Sequence, residues 1–432
     1  MYDESDQIQS QPQDETQVSY RIAHHLLSIL VALAAWIFAC EAIADNEAVI
    51  ALRGGTIESV GKLGRIEDGV VVLKGNKIHA VGKDVEIPDN ARVIDVRGKT
   101  ILPGIVDPYH VVRVGPGGAP ATRTVTFGGR TFTVRSSGSS TTPKFLRIVD
   151  NFYPFDAKFR PLTRSGITVA NLVAAGYGQS ALARMMIDDP EKLVSNGEGL
   201  LYASVRNNAT SLGVLRSGLA SAGASSSSSS SGSTASRTTS RTSSRLSAVE
   251  QTLWKDIAAG KRPLFVNASN SAAILHVLKL LKAHEKVKLV LIANGPNVYE
   301  TLDQLKGRRV SLILSPTIDT APNSRDRICV PRLLHEAGVE FAISLSISQS
   351  SLSSSQDAPL VPIAFLSKAG LPRDVALAAL TLVPAKLLGV QETHGSIEPK
   401  KLANLLVFDG DPLDPASRLE RVFVEGRTVH EG

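Results

Sequence analysis

Only two cysteines, Cys40 and Cys329, occur in 432 residues, which excludes a disulfide framework and a Cys-rich zinc module. Aromatic residues are scarce at 5%, and basic residues outnumber acidic ones only 47 to 41, spread along the chain with no basic run. Such a diffuse surplus gives no electrostatic footprint for nucleic acid, and none is expected as a partner. The apolar run Leu26 to Ala39 falls short of the roughly 20 residues a spanning helix needs, and Glu41 interrupts its continuation. Aliphatic side chains are what the chain has in quantity. With 43% hydrophobic residues it can fill a large core, which excludes wholesale disorder. At about 150 residues per domain the length suggests two or three domains, although an α/β barrel takes about 250 residues as one.

The run LLSILVALAAWIFA (26–39) has the length of a signal-peptide core, and Ala42-Ile43-Ala44 has the small-x-small pattern cut by signal peptidase. Residues 1–44 are therefore expected to be a signal peptide or N-terminal anchor, with a mature chain from Asp45 in the periplasm or outside the cell. Membrane contact is expected only through that segment. The acidic residues Asp3, Glu4, Asp6, Asp14 and Glu15 leave a weak basic region ahead of the run, so either the true start lies downstream or the signal is unusually long. Lipid attachment at Cys40 is a third reading of Ile37-Phe38-Ala39-Cys40. Cleavage after Ala44 would leave Cys329 as the sole cysteine, without an intramolecular partner.

From Ala48 to Asp95 short apolar segments alternate with turns such as Gly75-Asn76, which reads as antiparallel β structure. ANLLVF, RVFVEG and RTVHEG near the C-terminus read the same way. Two β-rich ends around a different middle predict one small β domain built from both, residues 45–102 with 384–432. The middle alternates strand and helix signals. RPLFVNAS, VKLVLIA, RVSLILS and VEFAISL are strand candidates, and Ile274, Val277, Leu278 and Leu281 share a helix face. Parallel neighbours need crossovers of about a dozen residues, so this alternation implies a parallel sheet. Residues 103–383 have the size of a (β/α)8 barrel, and a doubly wound open sheet fits the periodicity equally well. The Ser/Arg-rich stretch 211–247, with seven serines at 225–231 and Arg237, Arg241 and Arg245, is expected to be a disordered insert for want of apolar surface.

Gly98-Lys99-Thr100-Ile101-Leu102-Pro103-Gly104-Ile105-Val106-Asp107-Pro108-Tyr109-His110-Val111 resembles the first barrel strand of the metal-dependent amidohydrolase superfamily, especially its imidazolonepropionase-like members. Pro384-Ala385-Lys386-Leu387-Leu388-Gly389, Gly395-Ser396-Ile397-Glu398-Pro399 and LANLLVFDGDPLDP agree at the far end. The resemblance implies an α/β fold, a (β/α)8 TIM barrel with a composite β-sandwich from both chain ends. It further implies hydrolysis of non-peptide carbon-nitrogen bonds, such as those of cyclic amides, by one or two zinc-type ions that activate water.

The residues at the positions matching the family ligands are different. The His-x-His pair, which strand alternation aims into the barrel, is replaced by Tyr109 and Val111, with His110 facing the other way. The later ligand positions fall on Asn267, Asn294 and Ser346, the last where the family has its aspartate, a metal ligand and general base. Asp107 reads as a structural carboxylate bonding backbone N–H groups. His276, His284 and His335 lie in helical segments, while His79, His394 and His430 belong to the β-rich ends. The expectation is an impaired or inactive hydrolase without metal or cofactor, whose Tyr109, Val111, Asn267, Asn294 and Ser346 line a pocket for a small molecule. One alternative is a non-catalytic scaffold, in a homo-oligomer or paired with an active paralogue. Another is a relocated metal site using Asp319, Asp357 or His110.

Overall fold

The computed structural model describes residues 48–112, 122–127, 130–135, 145–151, 153, 159–186, 189, 192–196, 199–205, 209–223, 246–268, 270–293, 295, 297–347 and 358–432. The expected signal segment, Cys40, Asn294 and Asp357 lie outside these residues. Among the described residues, no helix is long and apolar enough to cross a membrane.

The chain begins with β1 (Val49–Glu58), β2 (Arg65–Lys74), β3 (Lys77–Gly82), β4 (Arg92–Asp95) and β5 (Thr100–Pro103). β2 and β3 form the expected antiparallel hairpin across Gly75-Asn76. The expectation of antiparallel pairing throughout fails at β1, which runs parallel to both β4 and β5. Ile50 to Arg53 pair with Arg92 to Asp95, whereas Thr56 and Ile57 pair with Thr100 and Ile101. Gly54 separates the two halves at φ +84°, a left-handed conformation that lets one strand serve two partners.

Gly104 leads into β6 (Ile105–Val111). After it come the antiparallel ribbon of β7 (Thr122–Phe127) and β8 (Arg130–Arg135), then β9 (Leu146–Arg147), α1 (Phe159–Arg164) and β10 (Ile167–Val173), which pairs in parallel with β6. β11 (Tyr177–Gln179), β12 (Ala181–Arg184), β13 (Val194–Asn196) and β14 (Leu201–Val205) precede two helices, α2 (Ala209–Gly223) and α3 (Ala248–Ala258). Disorder was expected from residue 211, yet 211–223 is helical. Leu212, Val214, Leu215 and Leu219 are buried and supply the apolar surface that the serine-rich composition masks. Residues 224–245 lie outside the described residues. Ser247 caps α3, its hydroxyl accepting from the Glu250 N–H while Glu250 bonds back to the Ser247 N–H.

The expected alternation then follows: β15 (Leu264–Ala268), α4 (Ser271–Leu281), β16 (Leu289–Ala293), a 3-10 turn at Val298–Thr301 running into α5 (Leu302–Leu305), and β17 (Val310–Leu314). The short pair β18 (Asp319–Thr320) and β19 (Arg327–Ile328) leads to α6 (Val330–Glu336) and β20 (Phe341–Ile343). β14, β15, β16, β17 and β20 form one continuous parallel run. Their nearly unbroken apolar sequences fit strands covered on both faces. A closed eight-stranded barrel is not formed among the described residues: β20 meets β6 through serine side chains, and β10 continues into antiparallel β12 and β13.

α7 (Val361–Lys368), α8 (Arg373–Leu380) and α9 (Leu382–Leu387) carry the chain to β21 (Leu405–Phe408), β22 (Leu419–Val424) and β23 (Arg427–Glu431). β21 pairs antiparallel with β5, so one eight-stranded sheet is assembled from both ends of the described chain. β21 is buried on both faces. Leu405 and Val407 pack with Leu52, Ile57, Leu73 and Phe423, while Leu406 and Phe408 join the larger core around β10 and β15. Each such side chain contributes about 1.5–3 kcal/mol by leaving water. Both sheets therefore belong to one compact unit, Ile50–Gly432.

Candidate functional site

β6 determines the site. Its alternation turns Asp107 and Tyr109 inward, with exposures of 0% and 4%, and sends His110 towards α1, where its ring lies 6.5 Å from that of Phe159. Asn267, near the C-terminal end of β15, donates from Nδ2 to the Tyr109 hydroxyl at 2.9 Å. Ser344 and Ser346 follow β20, and each donates a hydroxyl to the Tyr109 carbonyl oxygen at 3.2 Å. Ser346 also hydrogen-bonds to Asp107 Oδ2. On β10, Asn171 donates to the Pro108 carbonyl at 3.1 Å, fixing the middle of β6 from its other side.

Three of the five expected pocket residues, Tyr109, Asn267 and Ser346, are thus joined in one cluster. Val111 ends β6 and is 44% exposed, so it takes no part. Asp107 differs from its expected role because its partner is the Ser346 hydroxyl, not backbone N–H groups, and its Oδ1 has no partner among the described residues. Asp107, Ser344 and Asn171 extend the expected set. The two-residue period places Asp107 on one face with Tyr109 and Ser344 on one face with Ser346, but no comparable signal marks the asparagine.

Burial raises the Tyr109 phenol above its ordinary value, against the lowering effect of the bond from Asn267. Tyr202 on β14 is pushed up to about 12, chiefly by burial, with the Tyr109 hydroxyl contributing. Both phenols therefore stay neutral at ordinary pH and act as hydrogen-bonding groups. A cavity of about 180 Å³ opens at the C-terminal ends of β16 and β17, lined by Gly295, Ser315, Thr317 and Asp319 among others and by none of the cluster residues. Burial raises the Asp319 carboxyl. Among the described residues, no three His, Cys, Asp or Glu side chains gather where one metal ion could be held.

Residues 262–429 match the amidohydrolase family. The matching segment contributes Asn267, Ser344 and Ser346, and the cluster is completed by β6, which lies ahead of it. An amidohydrolase from Thermotoga maritima superimposes with a TM-score of 0.68 over 89% of this chain and all of its own, at 20% identity. A candidate prolidase from Bifidobacterium longum gives 0.52 over 88% of this chain and 94% of its own, at 17% identity. At such identities these structures establish a shared amidohydrolase-type α/β fold. No curated protein matches the chain in sequence.

Proposed function

We propose that this chain is an exported, TIM-barrel-type relative of the amidohydrolases, its small domain built from both chain ends, that binds a small polar molecule at the strand mouth and does not hydrolyse through a zinc centre. The observation that carries the reading is the Tyr109–Asn267–Ser346–Asp107 cluster: three positions matching family metal ligands are occupied by groups hydrogen-bonded to one another or to β6. A catalytic zinc takes about three protein donors from imidazole, thiolate or carboxylate. The described cluster offers a phenol, a carboxamide, two hydroxyls and one carboxylate already engaged by Ser346, and this set does not fit the ion. The same groups suit a neutral ligand with both donors and acceptors, such as a cyclic amide or imide.

Elemental analysis of the chain from Asp45, purified without chelator or His tag, tests the reading. The expected result is below about 0.1 metal per chain, together with thermal stabilisation by one or more cyclic amides that is lost in Asn267→Leu; about one tightly held zinc per chain overturns it.

A further inference from the structure

At the pole opposite the Tyr109 cluster, the N-terminal ends of β15, β16 and β17 border a cleft of about 820 Å³. Its charged lining is almost entirely of one sign: Lys261, Arg262, Lys288, Arg308, Arg309 and Lys386 against Glu340 alone. Glu340 accepts from the Ser311 hydroxyl at 2.8 Å, and Arg262 lies 3.5 Å from Asp256. The other five cations form no ion pair among the described residues. One cleft therefore carries a surplus of five positive charges in a chain whose total surplus is six.

Topology gathers this charge from separate stretches of sequence. Lys261 and Arg262 precede β15, Lys288 precedes β16, and Arg308 with Arg309 precedes β17, while Lys386 comes from the last turn of α9. Parallel pairing brings the segments ahead of the strands to one pole, so single or paired cations that form no basic run converge in space. A merely solvated pole is served by intermixed signs, and a one-sign cleft instead concentrates anions.

We propose that this cleft binds a small molecule carrying two or more phosphate groups. Adjacent Arg308 and Arg309 offer planar donor forks suited to phosphate oxygens, and Lys261, Lys288 and Lys386 add point charges around them. Apolar side chains, including Leu200, Leu305 and Leu387, line the cleft beside the charges.

Calorimetric titration of the full chain with tripolyphosphate, citrate and a single-stranded RNA tests this. Expected are saturable binding of one tripolyphosphate per chain and a dissociation constant raised about tenfold or more in both Arg308→Gln/Arg309→Gln and Lys288→Gln. A control, Lys83→Gln/Arg92→Gln on the terminal sheet, should leave the affinity unchanged. Melting curves identical to the parent's confirm that the exposed substitutions fold. No saturable binding, equal loss in the control, equal affinity for citrate, or tighter binding of the RNA each overturns the proposal.

Discussion

Replacing Tyr177 by phenylalanine removes one oxygen from a contact that joins β11 to α3. The Tyr177 hydroxyl receives the Trp254 indole N–H at 2.8 Å and donates to Glu250 Oε1 at 2.8 Å. Trp254 is fully buried and Glu250 is 6% exposed, so neither can turn to water when the oxygen is gone. Burial raises the phenol's pKa and the bond to Glu250 raises it further, which keeps the hydroxyl protonated as a donor. Stranding a buried polar partner costs about 1–3 kcal/mol, so two of them predict a loss of about 2–6 kcal/mol. At about 1.4 kcal/mol per decade, the unfolding equilibrium constant rises by roughly thirtyfold to about twenty-thousandfold. Urea unfolding followed by tryptophan fluorescence reads this directly. The sequence has two tryptophans, Trp36 and Trp254, so a chain started at Asp45 reports from the contact itself. A lower midpoint at unchanged slope is expected. An unchanged midpoint would refute the claim that the hydroxyl bridges two buried partners.

His394 supplies a pH prediction. Burial pushes its ring down from 6.5 to about 4, although Glu425 nearby pulls the other way and Arg184 and Lys401 add to the depression. The unfolded ring takes up its proton first as pH falls, so the stability tied to neutral His394 is fully present above pH 6.5 and lost towards pH 4. The loss amounts to about 3 kcal/mol, and denaturation of His394→Gln against the parent at both ends of that window should show a flatter profile in the variant. Gly178→Ala would place a Cβ 2.0 Å from the Leu146 carbonyl oxygen. It should destabilise by about 1–3 kcal/mol, with faster amide exchange in β9 and β11, whereas full stability would contradict the close approach. Arg373 bridges Glu58 at 3.0 Å and Asp411 at 2.8 Å while about a third exposed. Arg373→Ala should cost about 1 kcal/mol, a difference that shrinks in molar salt and is measurable by urea titration in both buffers.

The strand-helix alternation from Leu264 to Ile343 was legible because each strand is an apolar run bounded by polar turns. The parallel partners of β1 were not, because the positive φ at Gly54 that divides the strand is invisible in a hydropathy pattern. α2 was hidden by composition, although Leu212, Leu215 and Leu219 stand at i, i+3 and i+7. At the site, correspondence with family ligand positions located Tyr109, Asn267 and Ser346. The bond from Ser346 to Asp107 depends on how β20 closes against β6, a tertiary arrangement that local sequence does not encode.

The antiparallel pairing of β21 with β5 determines when the protein can finish folding. During synthesis β5 emerges well before its partner, and its edge stays unpaired until residues 405–408 arrive. Because β21 also fills both cores, neither can close before then. Domains usually condense from the N-terminus as they emerge, with open strand edges exposed to aggregation meanwhile. Here the edge of β5 and both cores stay open while residues 104–404 are made, an interval in which a chaperone has open strand edges to engage.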